Sequence, residues 1–178
     1  MTTSAMRAIS QDVLGGPEVL IHAAAGGVGH LAVQLAKARG AYVIGTASAA
    51  NHDLVRSLGA DELIDYHAAD FAEVVTDADV VLDTVSGDYP ARSLRTMRPG
   101  GVLICLLPFP AESAAEAARR DVRVEAMLVE ADRSGMTAIA DLVTGGKLRP
   151  VIAGTFPWPT RPRPTNSATV GMSLESWS

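Results

Sequence analysis

The sequence is poor in several residue types, and each shortage excludes a class of protein. Its 178 residues include one cysteine, Cys105, so neither an intramolecular disulfide nor a cysteine-rich structural zinc site can form. Aromatic residues make up 4% of the chain, too few for a stacked-aromatic binding platform. No apolar run approaches the roughly 20 residues that span a bilayer. Residues 1–8 have no charged segment that leads into an apolar core, so we expect a cytoplasmic protein without a secretory signal or a membrane partner.

Neither positive nor negative charge is concentrated in one part of the sequence. The 15 basic and 20 acidic residues give a net charge of −5, and no stripe of Lys and Arg stands out. A nucleic-acid partner therefore has little electrostatic support. The chain is instead rich in alanine, valine and glycine, and it is 48% hydrophobic and 20% charged. This composition is typical of a globular domain in which helices pack closely on a sheet.

Short β-branched runs alternate with amphipathic stretches through the middle of the sequence. This alternation predicts strands at 19–24, 42–46, 62–65, 79–83, 102–107 and 122–129, and helices at 28–39, 51–58, 88–97, 111–120 and 132–144. Strands that are apolar throughout, each followed by a helix, are typical of a parallel sheet covered on both faces. The predicted fold class is therefore α/β, with a doubly wound parallel sheet and helices on both faces.

The two ends of the chain fall outside this alternation. Residues 1–18 contain one strand-like segment, 6–10, and then the turn Gly15-Gly16-Pro17. Residues 157–178 carry prolines at 157, 159, 162 and 164, a spacing that prevents both a helix and a central strand. We therefore predict three parts: an N-terminal remnant at 1–18, one α/β domain at 19–156, and an extended or disordered Pro-rich tail at 157–178.

A glycine-rich turn, HAAAGGVG at 22–29, lies between the first predicted strand and the first predicted helix. Backbone N–H groups at a helix N-terminus favour an anion, and the helix dipole adds to the attraction. Gly26 and Gly27 would let a pyrophosphate approach the main chain, and Gly29 would let the helix pack closely on the strand. Ala24 replaces the first glycine of G-x-G-x-x-G, so the match is incomplete. A tight turn that binds nothing has the same pattern, but its place between strand and helix favours a dinucleotide site.

The second predicted strand is followed by TASAANH at 46–52, which has no acidic residue. In NAD-preferring domains an acid about 20 residues after the glycine turn accepts a hydrogen bond from the ribose 2′-hydroxyl. Its absence favours a 2′-phosphate, for which Ser48, Asn51, His52 and Arg56 are candidate ligands. The competing interpretation is that these are ordinary helix caps or exposed polar residues.

Further segments follow in a recognisable order: LAVQLAK at 31–37, VIGTAS at 43–48, LGAD at 58–61, IDY at 64–66, VLDTV at 81–85 and RPGGV at 98–102. Together with the glycine turn, they resemble the cofactor-binding domain of the medium-chain dehydrogenase/reductase superfamily. The resemblance is to its zinc-independent, quinone-oxidoreductase-like branch. It implies a Rossmann-type dinucleotide-binding domain and an NADPH-dependent reductase of quinones, enones or similar activated double bonds.

The resemblance also implies NADPH as the cofactor, with no metal, and assigns binding residues. It places the pyrophosphate at Gly26, Gly27 and Val28, the 2′-phosphate at Ser48, His52 and Tyr66, and the nicotinamide at Val85, Leu106 and Leu107. Ser86 departs from the pattern, because relatives usually have glycine there. Relatives pair through an edge strand, and we expect a homodimer through 122–129, whose backbone would be unpaired on one side.

Residues 6–20 resemble the opening of the whole family, yet the cofactor-binding part follows at once, so we expect the GroES-like catalytic domain to be missing. Three functions stay open: a truncated NADPH-dependent oxidoreductase that acts on a small molecule, a cofactor-independent cyclase or isomerase in the vacated cleft, and a non-catalytic module for a nucleotide or a partner. No catalytic residue is identified. We expect His22 at the end of a buried strand, His30 on an exposed helix face, His67 in a loop and Cys105 as a buried, inert thiol.

Overall fold

The computed structural model describes residues 16–127 and 130–155. Its strands form one parallel sheet of six strands in the order β3-β2-β1-β4-β5-β6. The strands are β1 (Glu18–Ile21), β2 (Tyr42–Ala47), β3 (Glu62–Asp65), β4 (Ala78–Asp83), β5 (Met97–Cys105) and β6 (Arg123–Ala126). The helices are α1 (Gly29–Ala38), α2 (His52–Ser57), α3 (Phe71–Val74), α4 (Tyr89–Ser93), α5 (Ala114–Arg119) and α6 (Arg133–Thr144), with 3₁₀ turns at Ala49–Asn51 and Ala111–Ser113. The predicted doubly wound α/β fold is confirmed.

Two apolar layers, one on each face of the sheet, hold these elements together. Alternate residues of β1 point to opposite faces. Val19 and Ile21 pack with Val33 of α1 on the first face. Leu20 packs with Phe71 of α3 on the second. Because both faces are covered, the inner strands β1, β2 and β4 are mainly apolar and show no regular alternation of polar and apolar residues.

The strand order reverses between β1 and β4. The chain first moves outward from β1 through β2 to β3, then returns to β4 on the other side of β1. In open parallel sheets, ligands bind in the crevice outside the carboxyl ends of the strands at such a reversal. The N–H of His22 donates to the carbonyl of Leu82 at 3.1 Å, so the pairing of β1 with β4 continues to the edge of this crevice.

The prediction for residues 88–107 is wrong in detail. The helix predicted at 88–97 is the shorter α4, and β5 already begins at Met97. Ala78 pairs with Met97 but Val80 pairs with Val102, so the intervening residues of β5 bulge out of the ladder. Gly100, in this bulge, has φ +80, a conformation that favours glycine. The residues between the predicted helix at 88–97 and the predicted strand at 102–107 therefore belong to a bulge within β5, not to a turn between a helix and a strand.

The prediction that His30 lies on an exposed helix face is also wrong. His30 and Gln34 are only 7% and 6% exposed. The segment after α6 covers them. The N–H of Arg149 donates to Gln34 Oε1 at 2.9 Å, and the N–H of Val151 donates to His30 Nε2 at 3.2 Å. Buried polar side chains with such partners carry little penalty, so the polar stripe of α1 is an internal face.

Other boundaries shift less. The helix predicted at 51–58 is α2 with a preceding 3₁₀ turn, and α3, four residues long, was not predicted at all. The last strand predicted at 122–129 is Arg123–Ala126, and residues 128–129 lie outside the described residues. Residues 1–15 and the tail at 157–178 also lie outside them. Within the described part of the chain, no helix has the length and apolar character needed to cross a membrane.

Candidate nucleotide-binding site

All the residues predicted to bind the cofactor lie just after the carboxyl ends of strands. Register pairs close to these ends, such as Ile21 with Leu82 and Asp83 with Cys105, show that the strands end at one edge. The set comprises Gly26, Gly27 and Val28 after β1, Ser48 and His52 after β2, Tyr66 after β3, Val85 after β4, and Leu106 and Leu107 after β5. The fold thus brings segments that are distant in sequence to the same edge of the sheet.

The glycine turn is held in one conformation by its own backbone. The N–H of Gly26 donates to the carbonyl of Ala23 at 2.8 Å, and the carbonyl of Gly26 accepts from the N–H of His30 at 3.1 Å. His30 Nδ1 also lies 2.8 Å from that carbonyl. A Cβ at Gly29 would lie 2.1 Å from the carbonyl oxygen of Ala23, so only glycine fits there. The start of α1 therefore packs directly on the turn backbone at Ala23 and Ala24, which follow β1.

The next residues of the turn remain open. A Cβ added at Gly27 would meet nothing within 4 Å, and Val28 is 50% exposed. Neither the N–H of Gly27 nor that of Val28 has an acceptor among the described residues. Both N–H groups precede α1, a helix of ten residues whose dipole favours negative charge at this end. A pyrophosphate therefore fits this part of the turn by both space and charge.

The residues predicted to meet a 2′-phosphate differ in how available they are. Tyr66 is 41% exposed. Ser48 is buried and its hydroxyl accepts from Asn51 Nδ2 at 2.9 Å. His52 Nε2 lies 3.2 Å from the carbonyl of Ala47 and donates to it, which leaves Nδ1 for a ligand. Arg56 pairs with Asp53 at 3.2 Å on the surface of α2. Tyr66 and Arg56 are therefore the exposed members of the set, whereas His52 is half-buried and offers one ring nitrogen.

The loop after β4 is shaped by a buried carboxylate. Asp83 Oδ1 accepts from the N–H of Val85 at 2.9 Å and from the N–H of Ser86 at 3.2 Å. Burial raises the pKa of Asp83, while these two backbone donors act in the opposite direction. Val85 and Leu107 stay 40% and 47% exposed, so this end of the edge presents an apolar surface. Sequence reasoning did not find the role of Asp83, although an Asp two residues before Val85 is an Asx-turn signal.

A second buried polar group lies at the strand reversal. His22 Nε2 lies 2.9 Å from the hydroxyl of Ser93, and Nδ1 lies 3.4 Å from the hydroxyl of Thr46. The carbonyl of His22 accepts from the hydroxyl of Thr84 at 2.9 Å. Burial lowers the pKa of His22 to about 3, and Arg92 adds to the effect. His22 thus ties β1 to β2 and β4 as a neutral structural residue, as expected for a histidine at the end of a buried strand.

Comparison with known proteins identifies the family. A family model described as zinc-binding dehydrogenase matches residues 58–161. A 2-haloacrylate reductase from Burkholderia sp is 35% identical over 179 aligned positions, which cover 88% of this chain and 53% of that protein. The chain belongs to the medium-chain dehydrogenase/reductase superfamily. The quinone oxidoreductase of Coxiella burnetii superposes with a TM-score of 0.73 at 38% identity, over 82% of this chain and 47% of that one.

Other relatives are much longer proteins, and this chain matches only a segment of each. A spectinabilin polyketide synthase system protein from Streptomyces orinoci is 38% identical over 161 residues, 84% of this chain but 7% of that protein. This medium-chain dehydrogenase/reductase chain spans about half the length of the 2-haloacrylate reductase and of the quinone oxidoreductase. Its correspondence with them is therefore to a part of each, the part that carries the parallel sheet.

The family model's name refers to zinc, and the residues that the structure describes do not fit that metal. Within residues 16–127 and 130–155, no three His, Cys, Asp or Glu side chains lie close enough together to hold a metal ion. Zinc sites take at least three such protein ligands. Cys105 is 1% exposed, and burial raises the pKa of its thiol to about 12. The thiol is therefore protonated at neutral pH, which suits neither a zinc ligand nor a nucleophile.

Proposed function

We propose that this chain binds NADPH along the carboxyl edge of its sheet, as the cofactor-binding part of a reductase of quinones, enones or similar activated double bonds. The observation that carries this proposal is the open part of the glycine turn. There, two backbone N–H groups that have no acceptor among the described residues precede α1 beside the strand reversal, and Gly27 leaves room for a phosphate. The names of the relatives, a quinone oxidoreductase and a 2-haloacrylate reductase, support the substrate class.

Different residues of the chain would bind different parts of the cofactor. The N–H groups of Gly27 and Val28 would bind the pyrophosphate, and Gly26 would hold the turn. Tyr66 and His52 would meet the 2′-phosphate, and Ser48 would position the loop between them through its bond with Asn51. The exposed apolar side chains of Val85 and Leu107, with Leu106 beside them, would support the nicotinamide and exclude water from one side of it. Bound NADPH would supply the hydride.

A comparison of NADPH with NADH tests the proposal by calorimetry. Residues 46–52 contain no acid. A charge-assisted contact to the 2′-phosphate contributes about 1.5–3 kcal/mol, so NADPH should bind roughly ten-fold or more tightly than NADH. His52→Asp should abolish this preference, because a carboxylate would repel the phosphate. Ala118→Asp is a matched control, because it adds the same negative charge at an exposed position of α5 outside the predicted binding residues. Equal dissociation constants for the two nucleotides would overturn the preference, and no binding of either would overturn the proposal.

We expect slow or absent turnover by the chain alone. Holding an acceptor over the nicotinamide in a reactive pose can lower the barrier by about 7–11 kcal/mol. The chain spans about half the length of the 2-haloacrylate reductase and of the quinone oxidoreductase. Stopped-flow measurement of NADPH oxidation with a panel of quinones and enones checks this. A rate near 10 per second, about the median for enzymes, would show that the chain has a complete substrate site.

A homodimer through β6 belongs to the same proposal. β6 (Arg123–Ala126) is the last strand in the sheet order, and it pairs only with β5 among the described strands. The outer edge of β6 therefore has backbone N–H and C=O groups that can form hydrogen bonds with β6 of a second copy. The two copies would be related by a two-fold axis. Light scattering at tens of micromolar should give the mass of a dimer. A monomer mass at that concentration would contradict this part of the proposal.

A further inference from the structure

One ring nitrogen of His52 is already engaged in the structure. Its Nε2 lies 3.2 Å from the carbonyl oxygen of Ala47, the last residue of β2. A carbonyl oxygen only accepts hydrogen bonds, so Nε2 carries the hydrogen of this pair. Nδ1 has no partner among the described residues, and the side chain is half-buried. The nitrogen that is left for a ligand is therefore Nδ1.

The charge of the ring decides what Nδ1 can do. A neutral imidazole has a single N–H, and in His52 that hydrogen is on Nε2. Nδ1 of the neutral ring then presents a lone pair, which repels the oxygens of a phosphate because they are acceptors as well. An imidazolium has an N–H on both nitrogens. It can donate to Ala47 through Nε2 and to a phosphate through Nδ1 at the same time.

The other groups proposed to meet the 2′-phosphate do not depend on a proton in this way. Tyr66 and Ser48 offer hydroxyls, which are uncharged donors. Arg56 is a permanent cation, but it lies one turn further along α2 and pairs with Asp53 at 3.2 Å. Hydrogen bonds from a charged donor are roughly twice as strong as those between neutral groups. The second proton on His52 therefore decides whether the site has a charged donor beside Tyr66 and Ser48.

On α2 itself, little favours a charged ring before an anion binds. His52 is the first residue of this helix, where the helix dipole is positive and disfavours a cation. Asp53 and Arg56 form an exposed ion pair, so their charges largely offset each other near the ring. A bound phosphate would place a negative charge directly at Nδ1. Binding of the phosphate and protonation of His52 should therefore favour each other.

The neighbouring strand β3 contributes one acid and one further histidine. Asp65 is opposite Ala47 in the register of β2 and β3. Its Oδ1 accepts from the backbone N–H of His67 at 3.0 Å, so the carboxylate is held within its own turn. The ring of His67 is exposed and contacts the ring of Tyr66, with 4.3 Å between the centroids. His67 is therefore the second titratable ring that a test has to separate from His52.

NADH provides an internal reference for titrations elsewhere in the site, because it differs from NADPH only by the 2′-phosphate. His30 Nδ1, for example, lies 2.8 Å from the carbonyl of Gly26 in the glycine turn, which both nucleotides would occupy. A proton effect at that position would appear with both. The phosphate itself carries close to two negative charges above about pH 6. A proton effect that is specific to NADPH above this pH therefore comes from a protein group beside the 2′-phosphate.

We propose that His52 makes the preference for NADPH depend on pH, because the site takes up one proton at His52 Nδ1 when the 2′-phosphate binds and releases it when the phosphate leaves. The proton dependence rests on the proposed NADPH site and adds a regulation of its selectivity. Histidine changes its charge between about pH 5 and 8. At the lower end the ring is already charged and binding needs no proton. At the upper end the ring must first gain one, so the affinity for NADPH falls as the pH rises.

Calorimetric titration of the full chain with NADPH and with NADH, at about pH 6.5 and about pH 8.5, tests the proposal. The ratio of the two dissociation constants should fall about five-fold or more between these values, within the limit of ten-fold per pH unit that one proton allows. Repeating each titration in two buffers with different ionisation enthalpies gives the protons exchanged. Binding of NADPH near neutral pH should take up a fraction of a proton that binding of NADH does not.

Three variants assign the proton. His52→Lys places a permanent cation at the site, so it should keep the preference at both pH values without proton uptake. His52→Gln has no charged state, so its preference at low pH should fall to the value that the parent shows at high pH. His67→Gln is the matched control and should behave as the parent does. The affinity of each variant for NADH shows whether the edge of the sheet is intact.

The contrary outcomes are distinct. A preference that is equal at both pH values, without proton uptake, would overturn the role of His52 and leave the proposed function standing, with Tyr66 and Arg56 as the phosphate ligands. Proton uptake that persists in His52→Gln and disappears in His67→Gln would overturn it by assigning the proton to His67. If neither nucleotide binds at either pH, the proposed function itself fails.

Discussion

Gly27→Ala separates the binding role of the glycine turn from its structural role. A Cβ at Gly27 would meet nothing within 4 Å, and its φ is not in the positive range, so alanine fits the folded chain. Replacing glycine in such a place stabilises a protein by about 0.4–1 kcal/mol, because the unfolded chain loses conformational freedom. The same Cβ would project into the space that the pyrophosphate needs.

The effect on binding follows from the contacts at risk. A hydrogen bond from a backbone N–H to a charged phosphate contributes about 1.5–3 kcal/mol, so displacing the phosphate should weaken NADPH binding about ten-fold to a hundred-fold. Calorimetric titration gives the dissociation constant, and urea unfolding gives the stability of the same sample. A variant that is at least as stable as the parent and binds NADPH equally well would refute the placement of the pyrophosphate at Gly27.

Gly29→Ala is the contrasting variant. Its Cβ would lie 2.1 Å from the carbonyl oxygen of Ala23 and 2.8 Å from the Cα of Ala24, and both are backbone atoms that cannot rotate away. Overpacking of this kind destabilises a protein by about 1–3 kcal/mol or more. Binding and stability should therefore fall together in this variant, whereas Gly27→Ala should change them in opposite directions.

Two further predictions concern the polar groups behind the site. His22 has a pKa of about 3 in the folded chain against 6.5 as its ordinary value, so unfolding takes up a proton below pH 6.5. The free energy of unfolding should then fall by up to about 1.4 kcal/mol per pH unit as the pH drops from 6.5 toward 3. In urea unfolding measured across this pH range, His22→Gln should show a weaker dependence of the free energy of unfolding on pH. An unchanged dependence would assign the effect to other groups. Ser86 has φ +72, which strains a residue with a Cβ. Ser86→Gly should therefore raise the free energy of unfolding by about 1 kcal/mol, whereas Ser86→Ala should not. Equal stability of the two variants would show that the strain is absent.

The sequence carries enough local information to predict the strands and helices of this fold. It does not show which distant segments pack over them. Apolar strands and a 3.6-residue period identify β1, α1 and β2 because each signal lies within one element. The exposure of His30 and Gln34 could not be predicted in the same way. Their partners, Val151 and Arg149, lie more than a hundred residues further along the chain. A polar stripe on a helix usually faces solvent, and only the tertiary fold shows that another segment lies over this one.

The candidate site could likewise be predicted in its position but not in its detailed contacts. Its position was predictable, because every segment that follows a parallel strand must reach the same edge of the sheet. The details depend on contacts between segments. Nothing in the local sequence shows that the hydroxyl of Ser93 reaches His22, 71 residues away, or that His52 donates to the carbonyl of Ala47. The second of these contacts decides which nitrogen of His52 can meet a phosphate.

The hydrogen bonds behind the edge also explain why nucleotide binding and reduction need not occur together in this chain. A reduction of an enone or quinone needs a proton for the product as well as a hydride. His22 is buried and neutral, Asp83 accepts from two backbone N–H groups, and the Cys105 thiol is buried with a raised pKa of about 12. These groups maintain the shape of the edge, and none of them is exposed beside Val85 and Leu107. The open N–H groups of the glycine turn are free to bind an anion, whereas these titratable groups are engaged in the structure. The geometry therefore supports holding a nucleotide more directly than it supports transferring a proton to a substrate.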